Sequence, residues 1–207
     1  GISSTGATLG ATVSGSALSG RGTVYSTSSG VLATDNPLAE GSTSSGAFTQ
    51  SRTGLTPETQ YFFKGYATNS TGTTLSSESS FYTLSSPVTA GASSLSGTVI
   101  SDAQVDLSWT GATFPSSGAT VTKYILLRAI APTLPSLSNG NAAAPTAGAN
   151  TTIVSSSIDG SATTYSLTGL LASTQYNFAL IPYTYNGANS ATYNYGSAVT
   201  ASATTQA

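Results

Sequence analysis

Seven carboxylates hold most of the acid–base chemistry this sequence offers: Asp35, Glu40, Glu58, Glu78, Asp102, Asp106 and Asp159. The chain has no His and no Cys. Nucleophilic triads that depend on either are therefore excluded, as is a thiolate metal site. A glycosidase needs two facing carboxylates roughly 5 to 10 Å apart. Asp102 and Asp106 are the nearest same-domain pair in sequence. Both stand at the start of a surface strand, where solvated charges are the ordinary reading. A calcium site needs several clustered oxygen ligands. No such run exists, although the fold could bring Asp102 and Asp159 together. No Gly-rich phosphate loop follows a strand and opens a helix. The residues imply no cofactor and no catalytic activity.

The aromatic residues suit contact better than catalysis. Tyr183, Tyr185, Tyr193 and Tyr195 flank the last loop. Aromatic rings with polar tips serve sugar or protein contact. They serve equally well packed on one another across a hairpin. Next to them, the stretch Val121 to Ile130 is apolar on both parities. If Tyr124 and Leu126 face a core, Ile125 and Leu127 face outward, and Ile181 and Tyr183 share that outward parity. An apolar patch of this size needs a cover. The segment Ala131 to Gly160 is expected to fold over it; otherwise the patch meets another domain or subunit. Ile125, Leu127, Ile181, Tyr183, Tyr185, Tyr193 and Tyr195 are thus the candidate contact surface. Asn69-Ser70-Thr71 and Asn150-Thr151-Thr152 match the N-glycosylation sequon. Asn69 and Asn150 are therefore either candidate modification sites or ordinary turn residues.

Charge narrows the partners. Only 6% of the 207 residues are Asp, Glu, Lys or Arg, against about 25% in typical chains. The surface must be built of Ser, Thr, Asn, Gly and Ala, which favours packing on like surfaces or glycans over electrostatic steering. The five basic residues, Arg21, Arg52, Lys64, Lys123 and Arg128, form no stripe. Nucleic acid is therefore a poor partner, and so is an anionic membrane surface. No apolar run approaches about 18 residues, so membrane insertion is not expected. No signal peptide opens the sequence; an exported protein would be met here as a mature form or an internal segment. Absence of Cys fits an extracellular setting.

The elements that must position these residues are strands. Apolar residues alternate or come in short runs, and Gly, Ser, Asn and Pro punctuate them. In the first half the expected strands are Ala7 to Val13, Gly22 to Ser26, Ala47 to Arg52, Tyr61 to Asn69 and Phe81 to Leu84. In the second they are Val105 to Trp109, Val121 to Ile130, Thr163 to Leu167, Tyr176 to Leu180 and Ala198 to Thr204. Ser85-Ser86-Pro87 reads as a linker, because Pro cannot continue a central strand. Ala131 to Gly160 reads as a long insertion with Pro132, Pro135 and Pro145; a structureless loop of that length is uncommon unless it covers or binds something.

One segment occurs twice. Gly54-Leu55-Thr56-Pro57-Glu58-Thr59-Gln60-Tyr61-Phe62-Phe63 returns as Gly169-Leu170-Leu171-Ala172-Ser173-Thr174-Gln175-Tyr176-Asn177-Phe178. An internal repeat of a turn and a strand points to two copies of one sandwich. Leu55-x-Pro57-x-Thr59-x-Tyr61 and Leu170-x-x-x-Thr174-x-Tyr176 resemble the tyrosine corner of fibronectin type III domains. Leu107-Ser108-Trp109 with Tyr124-Ile125-Leu126 resembles that family's strand B tryptophan and strand C.

The resemblance implies an all-β chain of two tandem fibronectin-type-III-like antiparallel β-sandwiches, residues 1–85 and 86–207. Tyr61, Phe63, Trp109, Tyr176 and Phe178 are then expected in the cores. It also implies that the Tyr hydroxyl bonds back to the backbone of the preceding turn. The first copy departs from the pattern. It has no strand B tryptophan, with Leu9 near that position, and only about six residues precede its first strand. Strand A is either cropped or donated by a neighbouring domain or an identical subunit. The role this implies is that of a non-catalytic extracellular module, secreted or on a bacterial cell surface, in an adhesin, stalk or filament. The alternative is an accessory domain pair of a secreted multidomain hydrolase; a third reading is direct glycan binding through the tyrosines of the second domain.

Overall fold

Alternation of apolar residues places most of the strands, and hydrogen bonding to those strands places the rest. The computed structural model describes residues 1–130, 137–141 and 151–207. It divides into two units, Gly1–Leu84 and Ser85–Ala207. Among the described residues there is no α-helix, only a 3-10 turn at Ser190–Thr192.

The first unit contains β1 (Gly6–Val13), β2 (Gly20–Ser26), β3 (Leu38–Ala39), β4 (Gly46–Thr53), β5 (Gln60–Asn69), β6 (Gly72–Leu75) and β7 (Ser79–Tyr82). β1 turns Ala7, Leu9 and Val13 inward and leaves Thr8, Gly10 and Thr12 exposed, as a two-residue period requires. One sheet is β1–β4; the other runs β3-β2-β5-β6, with β7 paired to the first part of β5. The core is small: Ala7, Leu9, Leu55 and Tyr61, with Tyr25, Phe63 and Phe81 partly buried against them. Phe63 therefore stands at the margin of the core it was expected to fill. Val13, Val24, Val31, Phe48 and Leu84 are buried as well, and polar groups share the interior with them. Arg21 and Arg52 are each only 7% exposed. Arg21 pairs with Glu40 at 2.8 Å and lies over Phe48. Arg52 donates to the Thr23 hydroxyl at 2.9 Å and to the Thr23 carbonyl. Burial lowers its pKa, the usual direction for a cation taken out of water. Where β1 crosses β5 the sheets touch: a Cβ built on Gly65 would overlap that of Ala11, so only Gly fits.

The second unit contains β8 (Ser93–Val99), β9 (Gln104–Thr110), β10 (Val121–Ala129), β11 (Thr151–Asp159), β12 (Thr164–Thr168), β13 (Gln175–Tyr185), β14 (Asn194–Tyr195) and β15 (Val199–Thr204). Its sheets are β12-β9-β8 and β11-β10-β13-β14, with β15 on β13. The core between them is large and apolar, with Val105, Leu107, Trp109, Tyr124, Leu126, Phe178 and Leu180 among its buried members. Fully burying one such side chain stabilises by about 1.5–3 kcal/mol. Trp109 meets Tyr124 edge-on at 5.7 Å, a favoured aromatic geometry. Its indole N–H finds no acceptor among the described residues.

Three sequence expectations change. Ala131 to Gly160 is not wholly loop: Thr151–Asp159 is the edge strand β11, paired antiparallel with β10. Residues 131–136 and 142–150, Asn150 among them, lie outside the described residues. Ser85-Ser86-Pro87 is not a free linker. The Ser85 amide donates to the Thr192 carbonyl at 2.8 Å, and the Ser85 and Ser86 carbonyls accept from Asn194 and Thr184. Finally, β3, β6, β8 and β14 join the sheets, although none alternates clearly in sequence.

Candidate functional site

The repeated corner is the same structure in both units. Gly54 and Gly169 adopt φ of 72° and 71°, the left-handed region that glycine enters without strain. The next residue, Leu55 or Leu170, is buried. The Thr56 amide donates to the Tyr61 hydroxyl at 2.9 Å, and the Leu171 amide to the Tyr176 hydroxyl at 2.9 Å. A threonine closes each corner from the far strand. Thr83 Oγ1 accepts from the Thr59 amide at 3.0 Å and donates to the Thr56 carbonyl at 2.7 Å. Thr205 Oγ1 does the same with Thr174, at 3.0 Å, and Leu171, at 2.6 Å. Sequence reading missed Thr83 and Thr205, because threonine is too common in this chain to stand out. Their signal is their place just beyond the last strand of each unit.

The apolar outer face of the second unit is covered. Ile125, Leu127, Ile181 and Tyr183 form a buried cluster with Ala179, and Leu137, Ile153, Tyr185, Tyr193 and Tyr195 pack on it partly buried. The first four are therefore interior residues of the folded unit and present no contact surface. Ile125 is directly opposite Ile181, and Tyr183 opposite Tyr195. Leu137 and Ile153, both from 131–160, supply part of the cover. Tyr183 reaches across β10 and donates its hydroxyl to the Ser156 carbonyl on β11 at 2.5 Å.

The four tyrosines stack. Tyr185 and Tyr193 lie 4.5 Å apart between ring centroids with an 18° interplanar angle, and Tyr193 and Tyr195 lie 5.6 Å apart. The segment Leu137–Asn141 is bonded to this stack. The Asn139 side chain donates to Asn194 at 3.0 Å and accepts from the Tyr195 amide at 2.8 Å. The Tyr195 hydroxyl donates to the Asn141 carbonyl at 3.0 Å. Burial, then neighbouring tyrosines, raises the pKa of Tyr183, Tyr193 and Tyr195, so all three stay neutral at physiological pH. Tyr185, Tyr193 and Tyr195 remain half-buried and are the members of the expected contact surface that solvent can reach. Asn139 and Asn194, which fix the stack, carry no signal in the sequence.

The carboxylates are local fasteners. Glu78 accepts from the Ser29 hydroxyl at 2.6 Å and from the Gly30 and Val31 amides at 3.0 and 2.9 Å, and pairs with Lys64 at 3.5 Å. These hydrogen bonds, that of Ser29 foremost, hold its pKa down at about 2. Asp35 accepts from the Leu32 amide, Asp106 from Gln104 and Asp159 from Ser161. No group of three or more carboxylates gathers as a metal site among the described residues. Asn69 sits in the hairpin between β5 and β6, where its Oδ1 accepts from the Thr71 amide at 2.9 Å, the bond of an Asx turn.

The strand order of each unit, one sheet of two or three strands against one of five with a tyrosine corner at the crossing, decides the fold class. Both units are fibronectin-type-III-like sandwiches. No protein-family model matches the sequence, and neither does any curated protein. Solved structures similar to the chain include the FN1–FN3 domains of chicken CNTN1, at 17% identity and TM-score 0.41, covering 100% of this chain. The chain spans 65% of that structure's length. A two-domain fibronectin type III segment of chicken tenascin is similar at 18% identity and TM-score 0.41, covering 99% of this chain and 95% of that one. At these values the likeness adds nothing to what the strand order and the corner already show. No helix among the described residues is long and apolar enough to cross a membrane.

Proposed function

We propose that this chain is a non-catalytic structural or adhesive module. It works outside the cell, as a spacer or packing unit of a bacterial surface adhesin, stalk or filament. The observation that carries this reading is what the polar side chains do. Five of the seven carboxylates, both interior arginines and both corner threonines hold turns, loops and strands of their own unit in place. Such a chain is built to keep a shape. Its nearly uncharged exterior favours lateral packing with like surfaces and partners reached by contact rather than by long-range attraction. Electron microscopy of the native assembly tests the reading. Regular beaded stalks or fibres are expected; free particles whose hydrolytic activity fails on carboxylate substitution would overturn it.

A second reading, an accessory domain pair that holds glycans for a secreted hydrolase, is favoured by one observation. Tyr185 and Tyr193 form a nearly parallel aromatic stack, and both are half-buried; aromatic rings that solvent reaches can take part in sugar contact. A glycan array compared with its Tyr193→Ala variant decides it: sugar binding lost in the variant supports this reading, and no binding by the unaltered chain ends it.

A further inference from the structure

The chain carries no Cys and no Met, the side chains that ordinarily take up oxidising equivalents first. Its one Trp, Trp109, is 5% exposed in the second core. Oxidation therefore falls on tyrosine, and the 11 tyrosines are not equivalent. Four of them touch in one cluster. Tyr183 lies 5.3 Å from Tyr193 and 5.8 Å from Tyr195, and Tyr193 lies 5.6 Å from Tyr195. Tyr185 and Tyr193 are the tightest pair, at 4.5 Å with 18° between ring planes. Among the other described tyrosines, Tyr25 and Tyr61 meet edge-on at 74°, and the remaining ring contacts are with Phe or Trp.

Ring geometry and proton release both single out this pair. Planes this close and this nearly parallel set the carbon atoms of one ring against those of the other, near van der Waals contact. Burial, and then the neighbouring Tyr185 hydroxyl, raises the pKa of Tyr193; the second effect places the two phenol ends together, so the carbons beside the hydroxyls face each other. A phenol that gives up an electron must also give up its proton. Tyr183 and Tyr195 direct theirs at the backbone carbonyls of Ser156 and Asn141, which are too weakly basic to take it. Tyr185 and Tyr193 are only half-buried, so water can. Contact of Tyr183 and Tyr195 with Tyr193 lets an electron vacancy formed on any of the four pass to the pair.

We propose that Tyr185 and Tyr193 form an oxidative cross-linking site, joined as a dityrosine when the chain meets peroxide and a haem peroxidase, which oxidises by one electron at a time. Each phenol loses one electron and its hydroxyl proton. The two radicals couple through the ring carbons next to the oxygens. The proton on each coupled carbon then leaves and each oxygen regains one, which restores both aromatic rings. Peroxide takes up the two electrons and two protons released and becomes two waters. The new bond joins the end of β13 to the residue after the 3-10 turn, and so staples residues 186–192 across their base. This goes beyond the spacer role: it adds a covalent fixing to a unit that has no disulfide.

Treatment of the full chain with hydrogen peroxide and a haem peroxidase tests the site. Dityrosine fluorescence is expected in a product that still runs as a single chain on a denaturing gel. The tryptic fragment that follows Arg128 holds both tyrosines. It should be lighter by two hydrogens and yield no backbone fragment ions between residues 185 and 193. Tyr193→Phe keeps the ring and removes the phenol, so it should abolish both the fluorescence and the mass change, with far-UV circular dichroism showing the fold intact. Tyr82→Phe, outside the cluster, should leave both signals in place. Absence of dityrosine, a link between other residues, or cross-linked dimers alone would overturn the site. So would a Tyr193→Phe signal equal to that of the unaltered chain. Each of these results leaves the spacer role standing, since a stalk needs no such link.

Discussion

In the second unit, twelve described residues bury together around Trp109 and Phe178. In the first, four do so around Tyr61, and Arg21, Thr23 and Arg52 occupy interior space that apolar side chains hold in the other unit. Yet the corners of the two units match bond for bond, from the left-handed glycine to the closing threonine. The difference teaches that the corner is a local hydrogen-bonded device, indifferent to the size of the core it closes. The core sets most of each sandwich's stability. Among the described residues β8 completes a three-stranded sheet in the second unit, while the matching sheet of the first unit has two strands.

That contrast can be pressed hardest through the cores. Phe178→Ala is expected to cost about 3–5 kcal/mol, because Phe178 is fully buried. Trp109 is the only Trp in the chain, so its fluorescence follows the second unit alone through denaturant. The same change at Phe63, which is half-buried, is expected to cost the first unit less than half as much. Equal losses would erase the distinction between the two interiors.

The pinch between β1 and β5 comes next. Gly65→Ala forces a methyl into Ala11 and is expected to destabilise the first unit by about 3 kcal/mol, the upper range for overpacking. Ala11→Gly in the same chain makes room and restores most of that loss. Circular dichroism melts of the single and double variants measure it; a harmless single variant would mean that the sheets can separate there.

The corners should respond alike. Thr83→Val and Thr205→Val each strand a backbone amide and a carbonyl, costing about 1–3 kcal/mol. The two losses are expected to agree within error despite the unequal cores. A twofold disparity in urea denaturation would show that the core, after all, sets the worth of the corner.

The smallest effect is the response to acid. The folded-state pKa of Glu78 is about 2 against an ordinary 4.5. A depressed carboxylate adds stability that is fully present above its unfolded value and lost as pH falls through its folded value. The first unit should therefore weaken between about pH 4.5 and pH 2, as the loop at Ser29–Val31 is released. Glu78→Gln should flatten that part of the profile. Glu40, also held down by its hydrogen bond to Arg21, keeps a residual slope. An unchanged profile would place the loop's anchor elsewhere.

Much of this fold was legible in the sequence, and the reasons differ by element. β1 and β9 alternate because each buries one face, β13 is apolar on both parities because both of its faces are covered, and the two corners announce themselves by Gly-Leu followed by Thr-x-Tyr. β8 and β11 were invisible. Their Ser- and Thr-rich stretches, Ser93–Val99 and Thr151–Asp159, lie at sheet edges with little apolar surface to bury, so the backbone ladder places them rather than any periodicity. The buried arginines were unreadable for a related reason: Arg21 and Arg52 take inward positions on strands whose neighbours are polar, which no pattern of apolar residues can signal. The tyrosine stack was legible as a cluster. What fixes it, Asn139 and Asn194, depends on a fold-back of 137–141 that only tertiary structure supplies.

The central claim is that two sandwiches with one corner differ at one edge. Residue-resolved amide exchange in dilute solution measures it directly. Gly10 and Thr12 on β1 should exchange far faster than Asp106 and Ser108, the residues of β9 paired to β8. Protection of Gly10 and Thr12 equal to that of Asp106 and Ser108 would contradict the account.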